Sequence, residues 1–234
     1  MLILANAFLV GTVVLAIRTT DAIHVGIDSK VIVIDADIGS APAEEKSHKE
    51  GDVVFAHAGI FKDKLGKLDV AGTARTSIRA GGSLEQIVIK FTMDIEPQLL
   101  AVLPEIRAQN PQYFREKLKR PEEILFASMG ADNVPKMIVV IFEKVEEGDT
   151  IKLKSTRQSC PPDCPGEITS IGLGEHAAAD AYLDSHQSVL RQEGAATAIH
   201  EAIKAQAAAT PEYVALPVKM WSIDQQGVHE RDVK

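Results

Sequence analysis

Apolar positions in this chain come in two kinds of block, short runs rich in Val and Ile and longer runs with a helical period. Two short runs, Thr12 to Ile17 and Ala22 to Ile27, flank a polar turn at Arg18–Asp21, a pattern that predicts a β-hairpin. VIVID after Lys30 can extend the sheet or form the next strand, and the polar stretch from Gly39 to Gly51 predicts a loop. Val53 to Ala58 reads as a strand ended by Gly59. Asp63 to Ala80 is amphipathic but interrupted by Gly66 and Gly72, and predicts a helical region. The run from Ser83 carries a capping box with Gln86, while Pro97 and Pro104 predict kinks or breaks, and Pro111 to Lys119 a short amphipathic turn.

The second half repeats this order. Ile124–Ala127, Lys136–Glu143 and Thr150–Ser155 read as strands, with a turn at Asp132–Asn133. Ile168–Ile171 is a short strand leading into Gly172, Leu173 and Gly174. Helices are predicted over Glu175–Gln187 and Gly194–Ala209, then a closing strand over Ala215–Ile223, a turn at Gln225–Gly227 and a polar tail. Strands, helices, strands, helices and a closing strand predict an α+β protein. Its expected architecture is a four-layer α/β/β/α sandwich of two antiparallel sheets with helices on both outer faces. No linker divides residues 12–234, so a single domain is expected there.

Composition narrows the picture. The 234 residues are 45% hydrophobic and 25% charged with a net charge of −8, enough apolar chain for one sizeable core. With no Lys/Arg-rich block and few aromatics, nucleic acid is not an expected partner. Met1 to Ile17 carries no charged side chain. It is short for a stable transmembrane anchor and lacks a basic flank, yet Ala5-Asn6-Ala7 is a fair small-x-small cleavage site. Residues 1–11 therefore read as an export signal with a propeptide, which favours a periplasmic or secreted protein. The alternative is an apolar extension packed on the body of a cytoplasmic one. Cys160 and Cys164 stand in CPPDCP, where export favours a disulfide and retention leaves two thiols. Two thiols without a nearby His do not make a zinc site.

The hairpin also carries candidate chemistry. Its geometry sets the start of the first strand beside the end of the second, so Thr12 and Asp28 are expected to be neighbours. A threonine hydroxyl is a weak nucleophile and needs a base. A free α-amine on the same residue, with an ordinary pKa of roughly 8, supplies one when a nearby cation pushes that value down.

Gly11-Thr12, the apolar strand, the turn and Asp28-Ser29-Lys30 together resemble the opening of the proteasome β subunits and related N-terminal nucleophile hydrolases. The resemblance implies the same sandwich fold, cleavage at Gly11–Thr12, and hydrolysis of a peptide or other small amide without metal or cofactor. It puts Thr12 in the place of the nucleophile, Asp28 in that of the acid and Lys30 in that of the basic residue two places on. By spacing to Gly59 it implies Lys46 as the cation beside the amine, with Lys49 as the alternative, and the Gly59 N–H as the oxyanion donor. Self-association is implied too. The chain departs from the family where a Gly-Ser-Gly-Ser run is usual, since Leu173 replaces the hydroxyl, and Glu212 is the nearest match to the acid before the last strand. His57, close to Gly59, is an accessory candidate at the pocket border. Asp35 and Asp37 alternate with apolar residues as on an exposed strand face. A non-catalytic assembly or binding protein of the same fold is the alternative reading.

Overall fold

The computed structural model describes residues 8–11, 13–34, 38–41, 46–164 and 166–231. In chain order the elements are β1 (Phe8–Gly11), β2 (Val13–Arg18), β3 (Ala22–Ile27), β4 (Val31–Ile34), β5 (Ile38–Ala41), β6 (Ser47–Glu50) and β7 (Val53–Asp63). Three helices follow, α1 (Val70–Arg79), α2 (Leu84–Gln109) and α3 (Pro111–Glu116). Then come β8 (Glu122–Met129), β9 (Pro135–Glu147), β10 (Thr150–Cys160) and β11 (Thr169–Gly174). The chain closes with α4 (Ala177–Ser185), α5 (Gln187–Gln192), α6 (Ala195–Ala209), β12 (Lys219–Asp224) and β13 (Gly227–Arg231).

The strands form two antiparallel sheets. The larger runs β10-β9-β8-β7-β1-β4-β5 with β6 also on β7, and the smaller runs β11-β2-β3-β12-β13. Alternation along β2 shows why they stack: Val14 and Ala16 face the inter-sheet core, while Val13, Leu15 and Ile17 face α4 and α6. Covered on both faces, β2 has to be apolar from Val13 to Ile17, and it is; Arg18 at its end is buried with Nε donating to the Pro135 carbonyl at 2.8 Å. On the other side Phe55, Phe126 and Phe142 of the larger sheet pack against Phe91, Ile95 and Leu99 of α2. Each such buried side chain contributes about 1.5–3 kcal/mol. The layers are therefore helix, sheet, sheet, helix, as the element order predicts.

One glycine sets the spacing of a layer. A Cβ on Gly26 of β3 would lie 2.3 Å from Ile199 Cγ2 of α6, so its missing side chain lets that helix settle onto the sheet. Cys160 and Cys164 are joined by a disulfide and buried in the inter-sheet core.

Several boundaries differ from the sequence expectations, each for a local reason. β7 does not stop at Gly59 but continues to Asp63, because the glycine takes a φ of +119° that lets the strand bend and go on. The helix expected from Asp63 begins only at Val70, capped by the Asp69 side chain on the Gly72 N–H at 2.9 Å. Before it, the Asp63 carboxylate accepts the N–H groups of Leu65 (3.1 Å) and Leu68 (2.6 Å), closing a turn. α2 runs through Pro97 and Pro104, both on its exposed side, where water can reach the carbonyls those rings leave unbonded. The loop expected over 39–51 contains β6, and the polar tail contains β13. The closing strand starts at Lys219 rather than Ala215, since Pro217 has no N–H for the ladder and Ala215 bonds elsewhere.

Phe8–Gly11, read from sequence as part of a leader, is a strand. It pairs antiparallel with β4 on one side and β7 on the other, with Phe8 and Val10 buried. The chain therefore passes from the larger sheet to the smaller between Gly11 and Val13. No helix among the described residues is long and apolar enough to cross a membrane.

Candidate active site

The register of the hairpin, Val14 opposite Ile27, leaves Asp28 beside Val13. There Asp28 Oδ1 accepts the Val13 N–H at 3.0 Å, and Oδ2 accepts those of Lys30 (2.9 Å) and Ala215 (3.4 Å). Lys46, one residue before β6, brings Nζ onto Asp28 Oδ1 and donates to the Lys30 carbonyl at 2.7 Å. Both residues are buried, 2% and 3% exposed. Burial pushes the Lys46 ammonium below its ordinary pKa, and the Asp28 charge and hydrogen bond oppose that shift. A buried ion pair survives only when its remaining donors and acceptors are also met, and here backbone groups meet them.

The other expected residues distribute as follows. Thr12, the candidate nucleophile, lies outside the described residues, as do Asp35 and Asp37. Lys49 is exposed and donates to the Val228 carbonyl at 3.2 Å, so Lys46 and not Lys49 meets Asp28. Lys30 Nζ turns away to the Pro211 carbonyl at 2.7 Å. Glu212 is exposed in the adjoining turn. Leu173 is buried between the sheets, where it fills core rather than offering a hydroxyl.

Gly59 is in register with Gly11 on one side and Glu122 on the other. Any side chain there would collide, since a Cβ would lie 2.5 Å from the Pro121 carbonyl oxygen and 2.9 Å from Glu122 Oε2. Val13, meanwhile, is in register with Gly174 of β11. Gly59 and Gly174 both line a cavity of about 340 Å³ whose other walls include Val10, Ala58, Tyr113, Glu123 and Tyr213. So the two residues flanking position 12 each pair with a residue of the cavity wall.

Behind that wall lie two ionisable groups without partners. His57, fully buried on β7, has neither ring nitrogen hydrogen-bonded, and packs against Phe61 with ring centroids 4.7 Å apart. Burial, then the neighbouring His48 and Lys46, pushes its pKa well below the usual imidazole value. Its accessory role at the pocket border is not where the ring sits, which is in the core outside the cavity lining. Glu122 is fully buried with both oxygens unpartnered, and burial, reinforced by Glu123, pushes its pKa well up. Burial thus favours the neutral form of both groups.

Sequence reasoning missed Glu122, Glu123, Tyr113 and Arg120. The signal that finds the two glutamates is the pairing of β7 with β8, which sets Glu122 against Gly59 and Glu123 against Ala58. Among the described residues no cluster of His, Cys, Asp and Glu is suited to hold a metal ion.

No family model matches the sequence, and no curated protein matches it. Among solved structures the chain is similar to Anbu (ancestral beta-subunit) from Yersinia bercovieri. The TM-score is 0.49 at 9% identity, over 94% of this chain and 87% of that one.

Proposed function

We propose that the chain is a threonine-type N-terminal nucleophile hydrolase of peptide or other amide bonds, activated by cleavage between Gly11 and Thr12. The observation that carries this reading is the buried Asp28–Lys46 pair bonded to the N–H of Val13, the residue directly after Thr12. Once freed, the α-amine of Thr12 takes the hydroxyl proton while the Oγ attacks the acyl carbon. The carbonyl oxygen, turned oxyanion, is held by the Gly59 N–H. The amine of the substrate leaves with the proton, and water then hydrolyses the Thr12 ester, restoring the hydroxyl. Lys46 disfavours protonation of the amine, and Asp28 holds Lys46 in place. Export to an oxidising compartment fits the disulfide.

A second reading has its own support. Phe8–Gly11 is built into the larger sheet, and with that segment still attached Gly11 acylates the Thr12 amine and removes the base. In that case the chain is a non-catalytic assembly or binding protein. Intact mass under denaturing conditions, with release of amine from fluorogenic peptide amides, decides between them. Loss of residues 1–11 and a turnover abolished by Thr12→Ala support the hydrolase. A full-length chain without turnover overturns it.

A further inference from the structure

The cavity beside Gly59 has an unusual balance of charge for a chain with a net charge of −8. Lys117, Lys119 and Arg120 stand exposed on its rim within one short stretch. Lys117 and Lys119 have no side-chain ion pair among the described residues. Arg120 is only loosely engaged, 3.8 Å from Glu123 and 4.0 Å from Glu143. Deeper in the wall, Glu123 is 5% exposed and its Oε2 accepts no hydrogen bond within the protein. Burial pushes its carboxyl up, against the pull of Arg120, His176 and the Gly174 N–H. Tyr113, also lining the cavity, has its hydroxyl pushed up by burial and stays a donor at every physiological pH. Glu175 is the opposing carboxylate on the rim.

Such a lining suits a ligand that only accepts. An ionised carboxylate offers lone pairs and no donor, and gains most from cations in a concave, partly dry wall. The volume, about 340 Å³, holds one or two residues of an extended chain rather than a folded partner. We propose that this cavity binds a carboxylate-bearing residue of the substrate, so that the preferred ligand is an acidic peptide or acyl amide. Calling the ligand a substrate rests on the hydrolase reading above; the binding preference does not.

Calorimetric titration of the full chain carrying Thr12→Ala tests it, with N-acetylated, C-amidated tetrapeptides differing only in Glu, Gln or Lys at one position. The Glu peptide is expected to bind about tenfold more tightly than the Gln peptide, the usual scale for one charge-assisted contact. The advantage should shrink with added salt and vanish in Lys117→Gln/Lys119→Gln/Arg120→Gln. Those side chains are exposed, so that variant should melt with the parent. Equal affinity for Glu and Gln peptides, no binding of any peptide, or a preference that survives the triple substitution overturns the inference. If acidic peptides bind but the unsubstituted chain hydrolyses none, the hydrolase reading fails alone. If hydrolysis occurs without acidic preference, this inference fails alone.

Discussion

Two pairs of ionisable side chains are buried in this fold, and they are treated in opposite ways. Asp28 and Lys46 face each other at the junction of the two sheets, with the carboxylate further held by three backbone N–H groups. Glu122 and His57 lie on neighbouring strands of the larger sheet with no hydrogen-bonded partner for either side chain. In the first pair each carboxylate oxygen is met by hydrogen-bond donors; in the second nothing meets either side chain, and burial favours the neutral forms. The contrast separates a directed site from a reservoir of uncompensated burial. It also locates the directed one next to position 12.

Lys46→Met should break the first pair with the largest effect, about 3–5 kcal/mol in urea denaturation, because Asp28 is left as a lone buried charge. Adding Asp28→Asn should recover part of that loss, which a mere packing defect would not allow. Gly59→Ala comes next, at about 1–3 kcal/mol, since it forces a positive φ and a clash against the Pro121 carbonyl.

The second pair is read through pH. The unfolded chain releases the Glu122 proton near 4.5 whereas the folded chain keeps it to higher pH. Between those values the folded state binds more protons, so stability falls as pH rises. Glu122→Gln should therefore gain on the parent by up to about 1.4 kcal/mol per pH unit above 4.5. His57 has the opposite sign: the unfolded imidazole takes a proton below 6.5 and the folded one does not, so stability falls as pH drops from 6.5. Melting curves of His57→Leu should lose that acid slope, and a slope unchanged from the parent would mean the ring is hydrated or paired. Smallest of all, Lys90→Ala removes an exposed pair with Asp94 and should cost only about 0.3–0.5 kcal/mol, the surface counterpart of the Asp28–Lys46 break.

The sandwich was legible because its apolar runs alternate as sheets require and because helix starts such as Ser83 carry their caps in sequence. Asp28 was legible through the hairpin that sets it beside position 12, and Lys46 only through the family resemblance, which left Lys49 open as the alternative. Glu122, Glu123 and Arg120 were not, because their role depends on which strand lies next to Gly59. That is a pairing between residues about sixty apart in sequence, set by tertiary packing rather than local pattern. That Phe8–Gly11 forms a strand was not legible for a related reason. A short uncharged run has the same appearance as leader, membrane segment or interior strand, and only its two neighbours distinguish them.

The placing of β1 in mid-sheet has a mechanical result. Among the described residues, β4 and β5 join the rest of the larger sheet through it alone. A scission after Gly11 would turn a covalent member of the wall into a bound peptide, retained by two ladders and free to dissociate on dilution. Its departure would unzip the β4–β5 margin from β7. Maturation would then show as faster amide exchange in Val31–Ile34 as well as a lighter chain.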